Sequence, residues 1–124
     1  MDGKGINVLI IDDDIDFQSY MYDLLLSRDF TVFKATNGKE GMEILKKEKV
    51  AIVITDMIMP EREGVETIME IKIKYPDIKI IAVSGAVRKE TYLKLAEGLG
   101  AHIILPKPFN KQEMFDAIEQ LCSS

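Results

Sequence analysis

The sequence has very little cysteine and no long apolar segment. Cys122 is the single cysteine among 124 residues, so no disulfide can form within the chain, which fits a reducing compartment. We expect Cys122 to be a small buried side chain near the end of the last helix. The first apolar run, at 6–11, is far shorter than the ~20 residues that span a membrane, and no signal-peptide pattern is present. These absences predict a cytoplasmic protein that does not interact with membranes.

Runs of basic residues are also missing. The chain has 16 Lys and Arg against 21 Asp and Glu, which gives a formal net charge of −5. Because an acidic surface repels phosphate backbones, we expect no direct binding to nucleic acid by this domain. The length of 124 residues is ordinary for one globular domain. The composition, with 47% hydrophobic and 30% charged residues, is ordinary for a soluble protein. We therefore expect a single domain over 1–124.

Five short apolar runs alternate with amphipathic stretches. The runs lie at 6–11, 31–35, 50–54, 78–83 and 102–105. The first, third and fourth are nearly continuous in Val and Ile, which is typical of parallel strands covered on both faces. The second run is interrupted by Lys34, which favours an edge strand.

The stretches between the runs carry apolar residues at helical spacing. Five stripes follow this spacing: Phe17, Met21, Leu24 and Leu25; Gly41, Ile44 and Leu45; Val65, Ile68 and Met69; Tyr92, Leu95 and Ala96; Met114, Phe115, Ile118 and Leu121. Pro76 is expected to end the third helix. Strands that alternate with helices predict an α/β fold, in which crossover helices cover both faces of a five-stranded parallel sheet.

In an open parallel sheet, ligands bind beyond the carboxyl ends of the strands, where the strand order reverses. The polar residues that follow the runs are Asp12, Asp13 and Asp14 after the first, Asp56 after the third, Ser84 after the fourth and Lys107 after the fifth. Neighbouring carboxylates repel by roughly 1–4 kcal/mol per pair, so we expect Mg²⁺ to offset that cost. An acid cluster, a hydroxyl and an ammonium suit phosphoryl transfer, with Asp56 as the carboxylate nucleophile.

Four fragments resemble the CheY-like receiver family of two-component response regulators. They are Val8–Asp14, Ile54–Pro60, Ala82–Ala86 and Leu105–Phe109, in order and each at the end of a predicted strand, and the resemblance covers essentially the whole chain. It implies a flavodoxin-like (βα)5 fold with strand order 2-1-3-4-5. It also implies that Asp56 accepts a phosphoryl group from a sensor histidine kinase or phosphotransfer protein in a Mg²⁺-dependent reaction.

The resemblance implies that the chain is not a classical enzyme but catalyses its own phosphorylation and dephosphorylation. Phosphorylation would switch the conformation and signal to a partner, an effector protein or an output domain. The sequence does not distinguish a stand-alone receiver from a part of a longer regulator, and it names neither the kinase nor the pathway.

The metal ligands are also implied by the resemblance. Asp13 and Asp56 would bind Mg²⁺ directly, Asp12 would act mostly through a metal-bound water, and Ile58 would contribute its backbone carbonyl. Asp14, together with Asp16, is better explained as a cap of the first helix.

The remaining roles concern the phosphoryl group and the conformational switch. Ser84 would donate a hydrogen bond to a phosphoryl oxygen, and Lys107 would pair with Asp56 or its phosphoryl group. The Lys107–Pro108 bond is usually cis in the family, which its residue order permits. Ile104 stands where the family commonly has Tyr or Phe, the ring that moves with the Ser84 position. We therefore expect a weaker or altered switch, in a monomer or a weak dimer through the predicted fourth and fifth helices.

Three other functions compete with this interpretation. An interaction module that works without phosphorylation is favoured by Ile104 alone and disfavoured by the intact acids and Lys107. An aspartyl phosphatase of the haloacid-dehalogenase type would use Asp12 as nucleophile, but Asp16 stands where that family wants Thr or Val. A flavodoxin-like FMN carrier needs a phosphate-binding loop after the first strand, where this chain has acids.

Overall fold

The computed structural model describes residues 2–57, 63–85, 98 and 100–123. In this part of the chain, a helix follows each of the first three strands and the fifth strand. The strands are β1 (Asn7–Ile11), β2 (Thr31–Ala35), β3 (Ile52–Asp56), β4 (Lys79–Ser84) and β5 (Ile103–Pro106), and the helices are α1 (Ile15–Leu26), α2 (Gly38–Lys47), α3 (Glu63–Lys74) and α4 (Lys111–Cys122). Helix α4 is the last of the five predicted helices. The predicted fourth helix, at 92–96, lies outside the described residues.

The strands form one parallel sheet in the order β2-β1-β3-β4-β5. The predicted α/β class and strand order are therefore confirmed. Strand β2 lies at an edge, as Lys34 indicates, and Lys34 is exposed there. The order reverses between β1 and β3, so the topological switch point lies at the carboxyl ends of these two central strands.

The core has two layers, one on each face of the sheet. Successive strand residues point to opposite faces, so Val8 and Ile10 pack with α1 and α4, whereas Leu9 and Ile11 pack with α2 and α3. Every residue of β3 is buried. This double coverage is the physical reason for the unbroken apolar runs in the sequence.

The helical stripes are confirmed in α1, α2 and α4, with one error in α3. Met69 was expected on the buried face, but it is 49% exposed, whereas Ile68 and Ile71 are fully buried. Ile68 and Ile71 are three residues apart and therefore lie on the same face of the helix. Met69 is one residue after Ile68 and points about 100° away from it. Cys122 is also exposed, so the expectation of a buried cysteine was wrong; it is the last residue of α4, beyond the packed stripe.

Side-chain caps fix the helix starts that position the site. Asp14 accepts hydrogen bonds from the N–H groups of Asp16 and Phe17, and Asn110 forms a capping box with Glu113. Such caps satisfy N–H groups that have no partner within the helix. Helix α3 ends two residues before Pro76, as expected. In the described part of the chain, no helix is long and apolar enough to cross a membrane.

Candidate functional site

The sheet register brings the predicted site residues to one edge. Ile11 lies opposite Thr55, so the next residues, Asp12 and Asp56, are neighbours across the two central strands. Ser84 ends β4 opposite Pro106 of β5, directly before Lys107. The register of the strands alone therefore brings these positions together at the carboxyl-terminal edge of the sheet.

Three carboxylates meet at this point. One oxygen from each of Asp12, Asp13 and Asp56 lies within 4.8 Å of the other two. Asp12 and Asp56 are buried, whereas Asp13 is exposed. The cluster therefore combines two buried carboxylates with one carboxylate that is exposed to solvent.

Burial makes this arrangement costly for Asp12. Its pKa is raised above the ordinary value of 3.8, first because burial disfavours the charged form and further because of the negative charge of Asp56. A hydrogen bond from the Asp14 N–H to Asp12 Oδ1 (2.9 Å) and the charge of Lys107 oppose that rise. Desolvation outweighs the local partners, so the pKa of Asp12 stays above its ordinary value.

Lys107 lies between the two buried acids. Its Nζ is 3.3 Å from Asp12 Oδ2 and 3.4 Å from Asp56 Oδ2, and it lies 4.0 Å from the centre of the Phe17 ring. The Lys107–Pro108 peptide bond is cis, as the resemblance implies. Lys107 pairs with Asp56 in the structure, in the manner that the resemblance implies, and Asp12 is its second partner.

The helix after β3 approaches Asp56 closely. A Cβ atom on Gly64 would lie 2.3 Å from the carbonyl oxygen of Asp56 and 2.9 Å from that of Met57. No side chain fits at these distances, because both neighbours are backbone atoms. Gly64 thus allows the first turn of α3 to close over the end of β3, where Asp56 sits.

The other predicted site residues are described to different extents. The main chain of Ser84 lies at the same edge, and Ile58 lies outside the described residues. Ile104 lies on β5 opposite Ala82 and packs, partly buried, on the core layer of α2 and α3. Asp14 caps α1, which confirms capping as its role.

The donor set fits a hard divalent cation. Among the described residues, the site holds three carboxylates and one ammonium, and Asp13 is exposed to solvent. Mg²⁺ binds through one or two carboxylates and keeps several waters, which the exposed position of Asp13 allows. The acid cluster is therefore able to hold a metal ion.

Sequence reasoning missed two residues beside the site. Phe17 was identified only as a core residue of α1, and Gln18 was not singled out. Gln18 is buried, and its Nε2 donates to the carbonyl oxygens of Ala35 (2.9 Å) and Asp12 (3.4 Å). Their position in the first turn of the helix that follows the acids is a signal that could have identified both.

The fold and the site define a class of protein: an α/β domain with an acid cluster and a lysine at its switch point. A family model described as the response regulator receiver domain matches residues 8–119. The chain therefore belongs to the response regulator receiver domain family of two-component systems, whose members work with histidine kinases.

Individual relatives cover nearly all of this chain. The chemotaxis protein CheY of Thermotoga maritima is 33% identical over 118 residues, which are 94% of this chain and 98% of that protein. The probable C4-dicarboxylate response regulator DctR of Bacillus subtilis is 34% identical over 119 residues, 94% of this chain but 52% of DctR. Several curated relatives are longer still, and the chain spans as little as 12% of one of them.

Solved structures give the same result for the fold. The response regulator TrrA of Thermotoga maritima, in complex with Mg²⁺ and BeF, has a TM-score of 0.82 at 25% identity, with 94% of this chain and 98% of that chain covered. A response regulator receiver domain protein from Clostridium thermocellum has a TM-score of 0.85 at 30% identity, with 94% and 93% covered.

Proposed function

We propose that this chain is a single receiver domain that accepts a phosphoryl group on Asp56 in a Mg²⁺-dependent reaction. The observation that carries the proposal is the position of Lys107 Nζ, 3.4 Å from Asp56 Oδ2 and 3.3 Å from Asp12 Oδ2. This ammonium lies between two buried acids of the cluster at the switch point, where it can balance negative charge that develops in the reaction. The Mg²⁺–BeF complex of TrrA supports a magnesium-dependent site in a related fold.

The transfer itself requires little from the protein besides position and charge. A carboxylate oxygen of Asp56 forms a bond to phosphorus, and the bond from phosphorus to the donor breaks. With a phosphohistidine donor the imidazole nitrogen leaves and takes up a proton; with acetyl phosphate the leaving group is acetate. Charge spreads over three equatorial oxygens in the transition state, and Lys107 supplies a fixed positive charge beside them.

The acids would serve the metal. Asp13 and Asp56 are the proposed direct ligands of Mg²⁺, Asp12 would act mostly through a bound water, and the backbone carbonyl of Ile58 would complete the protein ligands. When bound, the ion would neutralise the carboxylates and the phosphoryl oxygens. Asp12 would keep its Asp14 N–H bond and orient the loop that carries Asp13.

Two further residues would connect phosphorylation to the output. Ser84 is the proposed donor to a phosphoryl oxygen of modified Asp56. Ile104 lacks the ring that would rotate in response, so we expect weak changes on the surface of the predicted fourth helix, β5 and α4. Amide shifts at 104–118 that move fully when BeF₃⁻ is added would contradict this expectation.

The partners proposed for the chain follow from this chemistry. A sensor histidine kinase or a phosphotransfer protein would donate the phosphoryl group, and an effector protein or an output domain would receive the signal. The net charge of −5 disfavours direct binding to nucleic acid. The proposed setting is the cytoplasm, and the proposed state is a monomer or weak dimer.

Intact mass tests the proposal. The protein, and separately Asp56→Asn, are incubated with acetyl phosphate and Mg²⁺ and then measured with and without EDTA. One phosphoryl adduct on the wild type, absent from Asp56→Asn and absent when EDTA is included from the start, is the expected result. No adduct at any Mg²⁺ concentration would contradict the proposal and favour an interaction module, and an adduct on Asp56→Asn would mean that another residue is the acceptor.

A further inference from the structure

Lys107 is held by more than its two carboxylates. Its Nζ lies 4.0 Å above the ring of Phe17, well within the ~6 Å at which a cation is attracted to an aromatic face. The two ion-pair distances, 3.3 and 3.4 Å, exceed the ~2.7–2.9 Å of a committed charge-assisted hydrogen bond. The ammonium therefore contacts Asp12, Asp56 and Phe17 and forms a short, strong hydrogen bond with neither carboxylate.

The ring that faces Lys107 has a fixed position of its own. Phe17 meets Phe109 edge to face, with the ring centres 5.8 Å apart and the planes at 88°. Both rings pack, partly buried, against the core layer of α1 and α4. The position of Phe17 is thus set by core packing and by the first turn of α1, which begins at the Asp14 cap.

A fixed ring matters because lysine is a flexible ligand. Its four-carbon stem carries about 2 kcal/mol of rotamer entropy, and its ammonium is a compact charge without preferred direction. The Lys107 side chain is 23% exposed, so solvent competes for the ammonium. A ring on the third side limits the positions that the charge can reach without adding another negative group to a crowded site.

We propose that Phe17 is a positioning residue for phosphoryl transfer: its ring face holds the Lys107 ammonium between Asp12 and Asp56 before the donor arrives. This inference rests on the proposed function. A charge that is already in place requires no reorganisation when negative charge develops on the phosphoryl oxygens. Phe17 therefore acts on the rate of transfer, through Lys107, and contacts neither the donor nor the metal.

The first test replaces the ring and measures the rate at saturating Mg²⁺ and acetyl phosphate. Phe17→Leu is expected to slow phosphorylation of Asp56 by between about 2-fold and 30-fold, the range of a cation–π contact. Phe17→Tyr keeps the ring face and should stay within about 2-fold of the wild type. If Leu and Tyr behave alike, the ring face has no role.

Tyr22→Leu is the matched control. Tyr22 lies on the same helix and makes a similar contact, with Lys34 Nζ 4.3 Å from its ring centre, and Lys34 is an exposed residue of the edge strand β2. The control loses an aromatic–lysine contact without touching the site, so the rate should not change. An equal loss in Tyr22→Leu and Phe17→Leu would indicate a general effect on α1 and overturn the inference.

The second test changes the electronics of the ring while its shape stays nearly the same. Phenylalanines with one, two and three ring fluorines at position 17 progressively weaken the negative ring face. The logarithm of the rate should fall in step with fluorination. A structural role for Phe17 predicts no such trend, and a flat series would overturn the inference even if Phe17→Leu fails to fold.

The third test reads the geometry without any phosphorylation. The Hε protons of Lys107, assigned with Lys107→Arg, should be shifted upfield by the ring current in the wild type and return to ordinary values in Phe17→Leu. An unshifted wild type contradicts the geometry. A shifted wild type that never takes up phosphoryl contradicts the proposed function, and with it the role in transfer, so the two failures are distinguishable.

Discussion

The two edges of the sheet use polar residues in opposite ways. At the amino-terminal edge, Asn7 Nδ2 donates to the Lys49 carbonyl oxygen (2.7 Å), and the Ile80 N–H donates to His102 Nδ1 (3.0 Å). Each of these side chains satisfies one backbone group. At the carboxyl-terminal edge, three carboxylates crowd together and the pKa of one of them is raised by burial.

This difference distinguishes side chains that stabilise the fold from side chains that are suited to binding a ligand. A side chain that satisfies a backbone group contributes about 1 kcal/mol, and removing it should destabilise the protein. A gathered set of like charges repels and destabilises the fold, and a bound cation would offset that cost. Parallel sheets bind ligands at their carboxyl-terminal edge, and the charge distribution of this chain follows that rule.

The largest difference between the edges should appear in the rate of phosphorylation. Lys107→Met removes the only ammonium described at the site and should slow transfer from acetyl phosphate by roughly 10²–10³-fold, as loss of a preorganised transition-state donor does in enzymes. Lys79→Met removes a lysine from the amino-terminal end of β4 and should leave the rate within about 2-fold. Initial rates from intact mass measure both, and similar losses in the two variants would erase the distinction between the edges.

Binding of Mg²⁺ should stabilise the protein through the carboxyl-terminal edge alone. At a free Mg²⁺ concentration 100 times Kd, the folded state gains about 2.7 kcal/mol. Thermal unfolding should therefore show a melting temperature that rises with Mg²⁺ in the wild type and much less in Asp13→Asn. Asp77→Asn, an exposed acid near the start of β4, should respond like the wild type; a full response of Asp13→Asn would exclude Asp13 as a ligand.

Without metal, Asp12→Asn should stabilise the fold. The amide is uncharged, so burial, the largest influence on the Asp12 pKa, no longer disfavours it, and Oδ1 can still accept from the Asp14 N–H. The variant also loses its attraction to Lys107, which exceeds the lost repulsion from Asp56. The net gain should be on the order of 1 kcal/mol, because the relief from burial exceeds the lost attraction. Urea unfolding in EDTA measures it. A destabilised Asp12→Asn would mean that the ion pair with Lys107 outweighs the burial of the acid.

The smallest effect should come from His102 and should depend on pH. The pKa of His102 is lowered from 6.5 by partial burial and by the charges of Lys72 and Lys79, and Nδ1 accepts from Ile80 only when unprotonated. The stabilisation is thus present above pH 6.5 and lost as the pH falls through the lowered folded-state pKa. The difference in melting temperature between wild type and His102→Ala should be largest near pH 8 and shrink in acid; a difference independent of pH would assign it to packing.

Much of this molecule follows from its sequence. The two periods of the apolar pattern predicted the strands, the helices and the edge position of β2, and the strand ends predicted which acids meet. Met69 was misplaced because a short stripe leaves the rotation of a helix ambiguous by one residue, and tertiary packing on Ile68 and Ile71 decides it. Cys122 was misplaced because the fraying end of a helix does not follow the average burial of its residue type.

Contacts between side chains from distant segments were harder to predict. The pairing of Lys107 with Asp12, and its place above the Phe17 ring, depend on side-chain rotamers in two segments, 12–17 and 107, that are far apart in sequence. In the sequence, Phe17 is only one member of the apolar stripe of α1, and its spacing does not distinguish it from the other core residues. The role of a ring beside a charged site is therefore visible only once the fold has brought the charge to it.

The most direct test of the account is to identify the residue that carries the phosphoryl group. After treatment with acetyl phosphate and Mg²⁺, borohydride reduces an acyl phosphate to an alcohol, so phosphorylated aspartate becomes homoserine. We predict homoserine at position 56 and aspartate at positions 12 and 13 in peptide sequencing by mass spectrometry. Homoserine at position 12 would favour a phosphatase-like nucleophile, and unmodified aspartate at all three positions would contradict the assignment of this acid cluster to phosphoryl transfer.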